Sequence, residues 1–288
     1  MSTIGFVRTA SRAEQSHVDM AAQIILQQGL HIYPSSICWQ PASTLDKYEH
    51  FFSELTDPQI DVLWAVRGGE GSADLLPLLA QHAVQLAAIP PKMLIGSSDF
   101  TAMLLYFQQH FGWHVIHGPT AASIGNPGQL DDDTIAQTVN ALLHDVFPVV
   151  PVTPLNTSAK TTRIESAQCT GGNMSLLNIS MGDSWQCDPT GKILLIEDWH
   201  EKGYVVDRTL KYFERLGWFN QAKALVFGDM QADTDEPYLE TILQRTAERL
   251  AVPVYHTRYI GHGKINYPIS FSRSYTLSCK GLSLKPIN

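Results

Sequence analysis

From Thr3 to His144 the chain alternates short apolar runs with longer stretches whose apolar residues recur at helical spacing. Thr3–Val7 predicts a strand. The segment from about Ser11 to Gln28 predicts a helix, with Gly29 as the residue that ends it. Leu30–Tyr33 predicts a second strand and Tyr48–Leu55 a helix. Ile60–Val66, rich in β-branched and aromatic residues, predicts a third strand. It runs into Arg67-Gly68-Gly69-Glu70-Gly71-Ser72, and a helix over Ala73–His82 follows. Lys92–Ile95 then reads as a strand, Ala102–Phe107 as the start of a helix, and Trp113–His117 as a strand closed by Gly118-Pro119. A helix from about Asp132 to His144 completes the block. Strand and helix alternating through short turns is the pattern of a parallel sheet covered by helices. Ligands bind beyond the carboxyl ends of such strands, the edge at which the Arg67–Ser72 and Gly96–Asp99 turns lie.

The pattern changes after residue 150. Val149–Arg163 is rich in Pro, Thr and Ser and has no helical period, so 151–165 is expected to be a linker. Beyond it come Cys169–Asn173, Ile193–Ile196 and Ala224–Gly228 as short apolar or glycine-bearing runs. Helices are expected at Val205–Leu216 and Pro237–Leu250, and a terminal strand at Tyr275–Cys279. The expected fold class is α/β: an N-terminal parallel-sheet domain (1–150) followed by a smaller C-terminal domain of mixed α+β texture (166–288).

Composition narrows the function. A hydrophobic share of 44% with 17% charged residues describes a globular chain. A net charge of -8 with only 20 Lys plus Arg, and no basic stripe, argues against a nucleic-acid partner. No segment approaches 18 uninterrupted apolar residues, and Met1–Arg8 lacks the basic start and long apolar core of a signal peptide, so no membrane association is expected. Cys38, Cys169, Cys187 and Cys279 are scattered, without a C-x-x-C pair, which argues against a zinc site or a disulfide framework.

Three stretches could carry chemistry. In Ile95-Gly96-Ser97-Ser98-Asp99-Phe100 a serine sits at a sharp strand-to-helix turn, beside the first free N–H groups of a helix. That arrangement suits a nucleophile whose attack generates an oxyanion; Ser and Asp are also ordinary helix caps. Glu197 and Asp198 follow the run Ile193–Ile196, and a carboxylate there is placed either to orient a histidine or simply to solvate a strand end. His262, between Gly261 and Gly263, sits on a sharply turning loop, as a mobile base or as a solvent-facing side chain. The Gly68–Gly71 loop follows neither the phosphate-loop nor the dinucleotide pattern, and donation of an N–H to an oxyanion is its more useful reading. His114 and His117, three apart on a strand, face opposite sides and do not pair for a metal. Ser98, Glu197 and His262 follow the chain order of α/β-hydrolase triads, but Phe100 replaces the second glycine of their elbow, so spacing alone leaves a triad open.

These blocks together resemble the LD-carboxypeptidases of serine peptidase family S66. The matching stretches are Ala65–Ser72, Ile95–Thr101, Ile116–Pro119, Gly171–Leu177, Leu195–Asp198 with Tyr204–Arg208, and Gly261-His262 before Pro268-Ile269. The resemblance implies a flavodoxin- or Rossmann-like N-terminal domain carrying the nucleophile Ser98, and a C-terminal domain carrying the acid Glu197 and the base His262. It implies an oxyanion hole from the Asp99 N–H and one in the glycine loop, for which Gly69 is the choice. It further implies no metal or organic cofactor, a cytoplasmic homodimer, and a small muropeptide substrate that loses its terminal D-alanine during peptidoglycan recycling. Arg67 and Lys264 are candidates to hold the leaving group's carboxylate, with a structural role equally open to Arg67.

Two departures bear on the substrate. Ser97 stands where the family has an aromatic residue, and Trp199, His200 and Lys202 follow Glu197 in place of a small or acidic run. An alternative within the family is therefore an enzyme like the microcin C self-immunity peptidases, which cleave aminoacyl-nucleotide analogues; Trp199 or Trp185 would then offer a platform for the base. A non-catalytic muropeptide-binding module is the third reading.

Overall fold

In the computed structural model, residues 2–33, 35–231 and 238–285 are described. The chain opens with β1 (Thr3–Val7), α1 (Gln15–Gln27), β2 (His31–Tyr33), α2 (Thr44–Thr56), β3 (Val62–Ala65), α3 (Ser72–Gln81) and α4 (Ala83–Ala88). There follow β4 (Met93–Gly96), α5 (Thr101–Phe111), β5 (His114–His117), α6 (Ala121–Gly125) and α7 (Asp132–His144). Next come β6 (Thr153–Pro154), α8 (Thr157–Thr161), β7 (Ile164–Asn173), α9 (Met174–Ser180) and β8 (Ile193–Trp199). The remainder is α10 (Gly203–Arg215), β9 (Ala224–Gln231), α11 (Leu239–Arg249), β10 (Val254–His256), β11 (Ile269–Ser270), β12 (Ser274–Ser278) and β13 (Gly281–Leu284). Two compact units result: Met1–Val146 with Pro268–Ser272, and Phe147–Tyr267 with Arg273–Asn288.

The first unit holds a six-stranded sheet in the order β11-β5-β4-β3-β1-β2. All its pairings are parallel except that of β11 with β5. β3 is buried along its whole length, as strands covered on both faces must be. Trp64 packs edge-on against Phe6 and donates its indole N–H to the Pro119 carbonyl at 2.8 Å, so its polar atom is satisfied inside the core. Thr101–Phe107 of α5 is buried throughout, and Phe107 also contacts Phe51 of α2 and Trp113. This places the turn between β4 and α5 on a rigid base.

The second unit holds a seven-stranded mixed sheet, β13-β12-β7-β8-β9-β10-β6. Its centre, β7 through β10, is parallel, and both edges are antiparallel. Ile193–Asp198 is buried residue by residue.

Several boundaries differ from the sequence reading for local reasons. α1 begins at Gln15 rather than Ser11, because Ser11 and Ala13 donate their backbone N–H groups to Gly68 and Cys38 instead of entering a helix. α2 starts four residues earlier than expected, at Thr44, because Ser43 and Asp46 form a reciprocal capping box. The 151–165 stretch, expected as a linker, carries β6, α8 and the first residues of β7; Asn156 caps α8 and its amide reaches the Ala247, Leu250 and Val252 carbonyls. Glu197 and Asp198 lie within β8 rather than after it. Pro237, the expected first residue of the last helix, lies outside the described residues; that helix runs Leu239–Arg249.

Candidate active site

The nucleophile candidate lies in the first unit, where β4 ends. Gly96 is obligatory there: a β-carbon would stand 2.7 Å from both Ala65 Cβ and the Phe100 ring. Ser97 is extended (φ -148, ψ -169) and buried. Ser98 is half-buried and takes φ 58, the left-handed region that a non-glycine residue occupies at a cost of about 1–2 kcal/mol. A short 3-10 turn, Ser98–Phe100, then leads into α5. This strand-to-helix turn thus sets the two serines apart: one packs inward, and the other is held out in a strained conformation.

The glycine loop closes on this serine. A β-carbon at Gly68 would stand 2.6 Å from Ser98 Cβ and Oγ and 3.6 Å from the Asp99 nitrogen, so only glycine permits this approach. Gly69, the second oxyanion donor named above, has φ 114, and a β-carbon on it would meet Ser11; the loop glycine whose β-carbon would meet Ser98 is Gly68. The Asp99 carboxylate accepts the Ser72 N–H at 2.8 Å and so ties the first turn of α3 to the serine turn. Burial raises the Asp99 carboxyl above its ordinary value, against the opposing pull of the Ser72 hydrogen bond and the Lys47 ammonium. Ser72 and Thr9 share a 2.7 Å hydroxyl contact behind the loop. Arg67 is exposed, donates to the Arg12 carbonyl at 2.9 Å, and lines a cleft of about 360 Å³ with Glu14, His17, Thr120, Asn126 and Gln129.

The second unit brings Glu197 and His262 together across 65 residues. Glu197 is fully buried, and its Oε2 lies 2.7 Å from His262 Nδ1. A β-bulge makes room for it. Ile196 pairs with Phe227 and Asp198 with Met230, so the single residue Glu197 opposes Gly228 and Asp229. A β-carbon at Gly228 would sit 2.9 Å from Glu197 Cβ. The Asp229 N–H donates to the Ile260 carbonyl at 2.6 Å, and Gly261 (φ 136) donates to Asn266 Oδ1, which seats the His262 loop on the bulge. An ionised carboxylate only accepts, so Nδ1 carries the proton and Nε2 is the basic nitrogen. Burial pulls the imidazole pKa down, but the charges of Glu197, Asp198 and Asp229 and the Glu197 hydrogen bond outweigh it, and the net shift is upward.

Asp198, read from sequence only as a strand-end carboxylate beside Glu197, organises the same strand end. Its Oδ1 accepts from Asn173 Nδ2 and the Trp199 N–H, both at 2.8 Å; its Oδ2 accepts from the Ser175 N–H at 3.1 Å and the Ser175 hydroxyl at 2.9 Å. Burial, then the neighbouring Glu197, push its carboxyl up to about 6 in spite of these bonds. The signal available in sequence was Asn173 directly before a helical run, where it caps α9 through the Leu176 N–H. Trp199 is 41% exposed, with its ring stacked on His262; Lys264 is exposed on the His262 loop. Trp185 is buried, so it offers no platform to a ligand.

Among the described residues no group of three or more His, Cys, Asp or Glu side chains is arranged to hold a metal ion, and no helix is long and apolar enough to cross a membrane. The four cysteines are free thiols, and burial pushes Cys38 and Cys187 up to about 12.

Comparison with known proteins agrees with both halves. Residues 4–118 match the LD-carboxypeptidase N-terminal domain and residues 166–277 the LD-carboxypeptidase C-terminal domain. The murein tetrapeptide carboxypeptidase of Pseudomonas aeruginosa is 31% identical over 233 residues, covering 76% of this chain and 73% of that protein. The muramoyltetrapeptide carboxypeptidase structure from Oxalobacter formigenes superposes with a TM-score of 0.83 at 22% identity over 98% of each chain. The structure of MccF in complex with glutamyl sulfamoyl guanosine gives 0.86 at 17% identity, over 99% of this chain and 96% of that one. At these identities the two structures establish the shared fold, while the two domain matches, spanning most of the sequence, establish the family. The chain belongs to the LD-carboxypeptidase family of S66 peptidases and is a carboxypeptidase-type hydrolase.

Proposed function

We propose that the protein is a serine carboxypeptidase that removes the terminal D-alanine from murein tetrapeptides, cleaving an L-to-D peptide bond in peptidoglycan recycling. The observation that carries this reading is the 2.7 Å pair of buried Glu197 with half-buried His262, which fixes the imidazole tautomer that leaves Nε2 basic. The relative from Pseudomonas aeruginosa supports the substrate class.

In this mechanism His262 Nε2 takes the proton from Ser98 Oγ as the oxygen attacks the scissile carbonyl carbon. The resulting oxyanion is held by the Asp99 N–H and a glycine-loop N–H; each such donor contributes about 3 kcal/mol to lowering the barrier. His262 then gives its proton to the leaving amine, D-alanine departs, and an ester remains on Ser98. Water, deprotonated by the same nitrogen, hydrolyses that ester. Glu197 stabilises the imidazolium formed in each half-reaction. Arg67 or Lys264 pairs with the free carboxylate of the substrate. The enzyme acts as a cytoplasmic homodimer on small muropeptides, with no nucleic-acid or membrane partner. Incubation with murein tetrapeptide, followed by mass, tests the reading through loss of one alanine.

The exposed indole of Trp199 beside His262 favours a second reading, cleavage of aminoacyl-nucleotide analogues. Hydrolysis of an aminoacyl sulfamoyl adenylate without action on tetrapeptide would select it.

A further inference from the structure

Three consecutive residues at the end of β8 divide their side chains by the two-residue period of a strand. Glu197 and Trp199 point to one side, and both meet His262. Glu197 accepts the Nδ1–H hydrogen bond at 2.7 Å, and the Trp199 ring lies 5.7 Å from the imidazole centroid with 28° between planes. Asp198 points the other way and binds the first turn of α9 through Asn173 and Ser175 while holding the Trp199 N–H. Immediately after, His200 turns the backbone at φ 59 and places its own ring 4.5 Å from the indole. The indole is therefore fixed through its backbone by Asp198 and contacted by two imidazoles.

We propose that Trp199 is a positioning residue for His262: its π face holds the imidazole in the plane that Glu197 selects and stabilises the imidazolium that exists while the base carries the serine proton. This rests on the proposed role of His262 as the base. The physical ground is the ring quadrupole, whose negative face attracts a cation lying within about 6 Å of its centroid, tryptophan most strongly. Glu197 contributes charge along the Nδ1 axis; Trp199 contributes from the perpendicular direction, which a carboxylate in the ring plane does not supply. The other charged groups whose fields reach His262 are Asp198 of β8 and Asp229 of β9, both acting in the same sense as Glu197. His200 lies beyond the indole and Lys264 is exposed on the His262 loop.

A substrate platform and a histidine support make opposite demands on Trp199, and two variants separate them. Trp199→Leu keeps apolar cover over the imidazole but removes the π face; Trp199→Phe keeps a smaller one. Because Trp199 is 41% exposed, neither substitution opens an enclosed cavity. The His262 ring is titrated by NMR in the intact protein, with His262→Gln used to assign the signal, and kcat and KM are measured on murein tetrapeptide. The inference expects the His262 pKa to fall by about 0.4–0.7 in Trp199→Leu, the equivalent of a cation–π contact of about 0.5–1 kcal/mol. Trp199→Phe should recover at least half of that fall, and kcat should drop several-fold in Trp199→Leu with KM within about two-fold of the parent, the mark of an interaction stronger in the transition state. An unchanged or raised His262 pKa in Trp199→Leu overturns the inference, the raised value marking an indole that only excludes water; so does a rise in KM alone. If tetrapeptide is not hydrolysed even by the parent while the His262 titration still falls in Trp199→Leu, the substrate assignment fails and the support of His262 by Trp199 stands.

Discussion

Gly68 is the contact surface for Ser98: a β-carbon built on it would stand 2.6 Å from the serine oxygen. The two residues belong to different strand-to-helix turns, one after β3 and one after β4, held in register by the Asp99–Ser72 hydrogen bond. Gly68→Ala must push either the loop or the serine aside. Displacement of a reacting group by about 1 Å costs on the order of 100-fold in rate. We expect kcat to fall by about that factor, with a thermal midpoint close to the parent's. Parental kcat in Gly68→Ala would show that the loop does not govern the serine.

Ser97 and Ser98 should separate cleanly in function. Ser97 is buried and extended, whereas Ser98 is half-buried and held in the left-handed region. A fluorophosphonate label located by peptide mass should fall on Ser98, with Ser97→Ala labelled as the parent is. Label on Ser97 would reverse the assignment.

The His262–Glu197 pair carries a pH signature. The rate needs neutral His262, so kcat/KM rises with pH through the histidine's pKa, which the surrounding carboxylates hold above its ordinary value. Glu197→Gln removes the largest raising contribution. The rising limb should move to lower pH, and kcat should fall by about 10³-fold or more as the tautomer is released. A limb that stays in place would mean that it reports another group.

Glu54 makes the first unit's stability depend on pH. Its carboxylate packs where a side chain at Gly5 would be, and its Oε2 has no hydrogen-bond partner. Burial, then Asp57, raise its pKa from 4.5 to about 7, with Lys92 opposing. The folded state therefore keeps this proton longer than the unfolded chain, and the group's stabilising contribution is full below pH 4.5 and is lost as pH rises through about 7. His50, 3.6 Å away, has the opposite sign: burial lowers it from 6.5 to about 4, so its contribution is present above 6.5 and lost as pH falls toward 4. Glu54→Gln should gain on the parent by roughly 2 kcal/mol between pH 5 and pH 8. Chemical denaturation at the two pH values checks this; an equal difference at both would contradict it.

Much of the fold was legible because buried parallel strands are apolar runs. Val62–Ala65 and Met93–Gly96 announced themselves this way, and the helix Asp132–His144 was read to the residue. Short elements were not legible. β11 has two residues and no periodicity, and it joins β5 only through tertiary pairing. The Pro- and Thr-rich 151–165 stretch concealed a strand and a helix because its order comes from distant partners such as those of Asn156. At the candidate site, Ser98 was visible as a turn residue. Glu197 and His262 are separated by 65 residues; their chain order with Ser98 left a triad open, and the family resemblance linked them before the geometry did. The function of Asp198 was hidden because an acidic residue at a strand end resembles surface polarity, yet it is buried and accepts four hydrogen bonds. Arg67 reads in sequence as a substrate-binding or a structural cation, and its guanidinium donates to the Arg12 carbonyl.

The most direct test of the central claim is the mass of a murein tetrapeptide after incubation with the parent protein and with Ser98→Ala. The mechanism predicts that the parent removes one alanine from the D-terminal end and that Ser98→Ala leaves the peptide intact. A parent that leaves the tetrapeptide unchanged, or a Ser98→Ala variant that still releases alanine, would contradict it.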